Sequence, residues 1–122
     1  MILGIGTDIV EVLRIEKACE SRRFLERIYT KAEQTICEEK SQRLAGNFAV
    51  KEAVVKVFGT GFRGIEPNEI EVLRDNRGKP YVILYGKAKE KQQELGITNL
   101  QVSITNTKEY AMAFVIGEGE EK

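Results

Sequence analysis

The sequence predicts a single α+β domain, with mixed helices and a mainly antiparallel sheet. Three observations carry this. At 122 residues the chain can build one hydrophobic core but not two independent ones. Strand-like and helix-like periodicities follow one another without the regular alternation of a βαβ fold. Strand-like segments near the end are joined by turn-rich links, as in hairpins.

Residues 2 to 13 are rich in β-branched side chains and alternate imperfectly between apolar and polar, which predicts a first strand. Gly4 and Gly6 within it suggest that another backbone passes close by. From Arg14 to Arg27 the pattern becomes helical and basic, and Thr30-Lys-Ala-Glu33 is a capping box that should start a short helix ending near Lys40. The clearest helix runs from about Ser41 to Phe58 and stops at Gly59-Thr60-Gly61. Strands are expected over Glu69–Arg74 and Tyr81–Tyr85, forming a hairpin through the turn signals Asp75-Asn-Arg-Gly78. A helix over Lys87–Leu95 is closed by Gly96, and strands over Leu100–Ile104 and Tyr110–Ile116 flank Thr105-Asn-Thr-Lys-Glu109. One domain therefore spans 1–122, and the acidic end over 118–122 is expected to fray.

Composition narrows the chemistry. With 42% hydrophobic and 31% charged residues the chain reads as an ordinary soluble protein, without an apolar run long enough to span a membrane. The opening residues lack the basic region of a signal peptide, so the cytoplasm is the default location. Cys19 and Cys37 fit no ligand spacing and are expected to be reduced and unpaired. Nineteen basic residues balance nineteen acidic ones, which gives no general case for nucleic-acid binding. Histidine is absent, so acid–base and metal chemistry must rest on carboxylates, lysines, hydroxyls and water. Carboxylate ligands favour hard ions such as magnesium over zinc.

Three residues stand out. Asp8 lies in an otherwise apolar strand, where an ionised carboxylate needs a partner: a sheet edge, Arg14, or a metal ion. Glu52 and Lys56 are four apart on the long helix, so an ordinary surface salt bridge worth a few tenths of a kcal/mol is the plain alternative to a site. A carboxylate for a metal, a lysine for a phosphate and the Gly-Thr-Gly amides could also lie close together there. The same glycines suit a helix C-cap and turn, which explains Gly59 without a ligand.

Taken together, Gly4-Ile-Gly-Thr-Asp-Ile-Val-Glu-Val-Leu-Arg-Ile15, Phe24-Leu-Glu-Arg-Ile-Tyr-Thr30 with Glu33, and Arg43-Leu-Ala-Gly-Asn-Phe-Ala-Val-Lys-Glu-Ala-Val-Val-Lys-Val-Phe-Gly-Thr-Gly61 resemble the holo-acyl-carrier-protein synthase family. Gly78-Lys-Pro80 and Val102-Ser-Ile-Thr-Asn-Thr-Lys-Glu-Tyr-Ala111 agree with it, so the resemblance covers nearly the whole chain. It implies transfer of 4'-phosphopantetheine from coenzyme A to a serine of apo-acyl carrier protein in fatty-acid biosynthesis, releasing adenosine 3',5'-bisphosphate. It also implies a magnesium cofactor on Asp8 and Glu52 and a phosphate-side role for Lys56. Contacts to coenzyme A would come from Lys56, Gly59, Gly61, Asn47, Thr105 and Asn106. Arg14 and Arg23 would dock the acidic carrier helix, making affinity fall as salt rises.

The resemblance further implies a homotrimer with sites between subunits, and the alternating apolar residues Ala111, Ala113 and Val115 of the last strands are compatible with a buried intersubunit face. Two departures bear on the donor. Asn47 and Asn106 stand where relatives often have arginine and usually have histidine, so two positive charges are missing unless Lys51, Lys79 or Lys108 compensate. These departures leave open a catalytically weak coenzyme A or carrier-protein-binding homologue.

Overall fold

A computed structural model describes residues 1–120 as an α+β domain with two antiparallel sheets. Strand β1 (Ile2–Glu11) leads directly into helix α1 (Val12–Ala18), followed by α2 (Arg22–Ile28) and α3 (Lys31–Cys37). The long helix α4 (Ser41–Phe58) then crosses the domain. A 3-10 turn at Pro67–Glu69 precedes the hairpin β2 (Ile70–Arg74) and β3 (Pro80–Leu84), which forms the smaller sheet. Helix α5 (Gly86–Glu94), β4 (Ile97–Asn106) and β5 (Tyr110–Gly119) complete the chain, and the larger sheet has the order β1-β5-β4.

The core forms where α4 lies across the inner face of the larger sheet. Ala49, Val50, Ala53 and Val54 of α4 are fully buried, as are Ala111, Ala113 and Val115 of β5. Val54, Val55 and Val57 are poor helix formers because their branched side chains lose freedom on a helix. Burying a valine contributes about 1.5–3 kcal/mol, which outweighs that preference. Gly59 ends the helix at φ 77, with its N–H bonded to the carbonyls of Val55 and Lys56.

Several local details differ from expectation. The basic stretch after β1 is two helices, because a turn follows α1 and the Ser21 hydroxyl accepts from the Phe24 N–H to cap α2. The capping box at Thr30 and Glu33 is present, but α3 stops at Cys37 as Glu38 and Glu39 take φ values of 49 and 60. At the acidic end, β5 includes Glu118 and Gly119, and the Met1 ammonium donates to the Gly119 carbonyl at 3.0 Å. Residues 121–122 of that segment lie outside the described residues.

The compatibility of Ala111, Ala113 and Val115 with an intersubunit face is also corrected. These side chains point into the chain's own core, since each is 0% exposed. The intervening residues Met112 and Phe114 face outward, next to Ile5 and Ile9 of β1. Among the described residues no helix is long and apolar enough to cross a membrane.

Candidate active site

A close crossing of α4 over β1 assembles the site. A Cβ at Gly6 would overlap the carbonyl oxygen of Ala53, and one at Gly4 would lie 2.7 Å from that of Val57. Glycine at both positions therefore lets the helix backbone approach the strand. The crossing brings Lys56 over β1, where its Nζ donates to the Thr7 carbonyl at 2.8 Å and stands 3.3 Å from Asp8 Oδ1. β1 is an edge strand, so Asp8 lies at a sheet edge, one of the expected placements, but the cation beside it is not the expected Arg14. That cation is Lys56, and Arg14 instead acts on Glu52.

Glu52 is half-buried one turn before Lys56, yet Lys56 pairs with Asp8. Burial raises the Glu52 pKa first, and the Asp8 charge raises it further, while Lys56 and Arg14 pull in the opposite direction. Asp8 and Glu52 thus repel one another across an incompletely neutralised gap. Among the described residues no three His, Cys, Asp or Glu side chains gather to hold a metal. Two carboxylates suit a hard cation that takes its remaining oxygens from phosphate and water, as magnesium does.

A groove of about 330 Å³ opens beside Glu52, lined by Phe24, Arg27, Phe48, Ile65 and Pro67 among others. The rings of Phe24 and Phe48 stack with centroids 6.5 Å apart. Phe48 was visible in sequence one turn before Glu52. The far wall was not, because Ile65 comes from the loop after α4 and Pro67 from the 3-10 turn that follows it.

Residues 4–115 match the family model of the 4'-phosphopantetheinyl transferase superfamily. A holo-[acyl-carrier-protein] synthase from Lachnoclostridium phytofermentans is 60% identical over 118 residues, covering 97% of both chains. Its counterpart from Halothermothrix orenii is 46% identical and covers 97% of this chain and 98% of its own length. The chain belongs to the holo-acyl-carrier-protein synthase family. Its fold agrees with that of a Plasmodium yoelii acyl carrier protein synthase solved with ADP bound, at TM-score 0.89 and 34% identity over 99% of this chain and 98% of that one. A Helicobacter pylori holo-[acyl-carrier-protein] synthase in complex with coenzyme A has TM-score 0.84 and 35% identity, covering 93% and 99% of the two chains.

Thr105 and Asn106 are not gathered at Asp8 within the chain. They end β4, on the far side of β5 from β1, and two strand spacings amount to roughly 10 Å. Gly59 and Gly61 lie exposed beyond α4. Arg14 and Arg23 are exposed on α1 and α2, as a docking surface requires.

Asn47 needs a correction, because it is fully buried rather than open to a ligand. Its amide donates to Glu33 Oε2 and the Val72 carbonyl, both at 3.0 Å, while its oxygen accepts from Arg74 at 2.9 Å. Lys51 cannot compensate for a missing charge either. It is 1% exposed, 2.7 Å from Glu33 Oε1, and donates to the carbonyls of Pro67 and Ile70. Lys79 and Lys108 remain exposed.

Proposed function

We propose that the chain transfers 4'-phosphopantetheine from coenzyme A to the serine hydroxyl of apo-acyl carrier protein. The observation that carries this reading is the convergence of Asp8, Glu52 and Lys56 beside a partly apolar groove, in a chain 60% identical to a holo-[acyl-carrier-protein] synthase. The reading brings with it a cytoplasmic reaction in fatty-acid synthesis. Its direct test is the mass of authentic apo-carrier after incubation with the chain, coenzyme A and magnesium. A phosphopantetheine-sized gain supports it, and no gain with folded protein overturns it.

Asp8 and Glu52 would hold magnesium, which supplies positive charge to the pyrophosphate and orients it. Lys56 adds a fixed positive charge for the phosphate oxygens without changing protonation. The serine oxygen attacks the β-phosphorus, and the bond to the departing adenosine 3',5'-bisphosphate breaks. Glu52 receives the serine proton through a water molecule. Arg14 and Arg23 meet the acidic carrier helix, while Gly59, Gly61, Thr105 and Asn106 contribute to the donor side.

We assign the outer face of the larger sheet to a homotrimer interface. Ile5, Ile9, Met112 and Phe114 expose between 43% and 61% of their surface on adjacent strands, an apolar patch that a second copy would cover. Sites between subunits would also let Thr105 and Asn106 serve a neighbouring Asp8. The weak-homologue reading loses part of its motive, since Asn47 is a core residue rather than an empty ligand contact.

A further inference from the structure

Lys51 and Glu52 are neighbours on α4, about 100° apart around the helix, so their side chains serve different surfaces. Glu52 opens on the groove, whereas Lys51 is 1% exposed and takes no part in the transfer chemistry. An ammonium in the interior needs its charge and all three N–H donors met. Its Nζ donates to Glu33 Oε1 at 2.7 Å, to the Pro67 carbonyl at 3.1 Å and to the Ile70 carbonyl. These acceptors belong to α3, the 3-10 turn and β2, so one cation pins three elements to α4. The Tyr29 ring, its centroid 5.6 Å from Nζ, adds a cation–π contact.

The bond to Pro67 reaches the groove directly. Phe62, Ile65, Glu66 and Pro67 all line it. Among the described residues, the other hydrogen bonds of residues 62–67 stay within residues 62–70, as from the Ile65 N–H to the Phe62 carbonyl and from the Glu66 N–H to Glu69 Oε1. The Lys51 bond is therefore the polar tie between this wall and the helix that carries Glu52. A charged donor out of reach of water makes such a bond stronger than one between neutral groups. An apolar side chain in its place would fill the space and leave the wall free to shift.

Phe24 and Phe48 complete the lining, which is largely aromatic and apolar and suits an uncharged segment of ligand. Coenzyme A has such a segment in its pantetheine arm, whereas the carrier helix is acidic.

We infer that Lys51 is a positioning residue: by holding the Pro67 carbonyl it fixes the far wall of the Glu52 groove and sets how tightly the pantetheine arm of the donor is held. The occupant rests on the proposed transferase reading, whereas the tether rests on the hydrogen bonds themselves.

Calorimetry on the full chain with magnesium tests this by comparing coenzyme A with adenosine 3'-phosphate 5'-diphosphate, which keeps every phosphate and lacks only the arm. Glu33→Gln is the reference variant, since it removes the buried carboxylate but leaves Lys51 its two carbonyls. Lys51→Met combined with Glu33→Gln removes the same carboxylate and the tether with it. Relative to the reference, the double variant should bind coenzyme A at least about fivefold more weakly and the diphosphate within about twofold of the same strength. In turnover the KM for coenzyme A should rise by a similar factor, with kcat and the KM for the carrier changed much less. If the double variant melts early, Lys51→Gln with Glu33→Gln carries the same test, because the two amides can pair with one another while the shorter side chain gives up Pro67.

An equal loss for the two ligands, or coenzyme A affinity unchanged once the tether is gone, overturns the inference. So does a loss as large in Glu33→Gln alone. Carrier modification without the split between ligands would sink this role of Lys51 alone. The split without carrier modification would sink only the transferase reading, and a wild-type chain that binds no coenzyme A would sink both.

Discussion

Lys56 Nζ stands 3.3 Å from Asp8 Oδ1, tying the last turns of α4 to the edge strand β1 across 48 residues of sequence. The lysine side chain is 52% exposed, so solvent screens the pair and its worth to stability is small. Its consequence is positional: a cation and two carboxylates share one small region, and Glu52 carries the electrostatic strain.

That strain has a pH signature. The folded chain holds the Glu52 proton more tightly than the unfolded chain, because burial first and Asp8 second raise its pKa above 4.5. The group's contribution to stability is full below the unfolded value and is lost as pH rises through the raised folded value. The wild-type melting temperature should therefore fall relative to Glu52→Gln as pH rises above 4.5, and magnesium should narrow the difference. A gap independent of both pH and magnesium would contradict the crowding.

Gly6 permits the crossing that builds the site. Gly6→Ala places a methyl on the Ala53 carbonyl, so the helix must move away from β1. The loss should be about 3 kcal/mol in urea unfolding, with activity reduced more than the unfolded fraction explains. Gly61→Ala, where φ is 62 but no atom lies within 4 Å, should cost only about 1 kcal/mol.

The Lys51–Glu33 pair is sealed in the interior, with the two side chains 1% and 0% exposed. Lys51→Met leaves the Glu33 carboxylate without its cation and should cost about 3–5 kcal/mol. Adding Glu33→Gln should recover part of the loss, because the buried charge disappears with its partner. No recovery in the double variant, read by chemical denaturation, would mean that shape and not charge sets the cost.

Much of this architecture was legible. Periodicity located all five strands and the long helix, and Gly4 and Gly6 marked the close crossing before any packing was known. Asp8, Glu52 and Lys56 were recognisable as residue types, although spacing alone left ordinary salt bridges open. Alternation in β5 announced two faces without saying which met α4, so Ala111, Ala113 and Val115 were compatible with an intersubunit face although they pack in the core. Burial at Asn47 and the groove beyond Glu52 were hidden for a related reason. Both depend on side chains from β2 and the loop after α4, brought near by packing and not by sequence spacing.

The outward face gives its own prediction. Phe114→Arg places a charge in the centre of the patch formed with Ile5, Ile9 and Met112, without touching the core. Wild-type protein should sediment as a trimer and the variant as a monomer with a similar far-ultraviolet spectrum. A monomeric wild type would remove the intersubunit account of Thr105 and Asn106.

The central claim is that Asp8 and Glu52 together support phosphopantetheine transfer, and the mass of apo-acyl carrier protein tests it most directly. The carrier is incubated with coenzyme A, magnesium and either wild-type chain or folded Asp8→Asn and Glu52→Gln variants. Wild type should give a phosphopantetheine-sized gain that chelation prevents, and each variant should lower the rate by at least about 100-fold. Near-normal modification by either variant, or by the chelated wild type, would contradict the account.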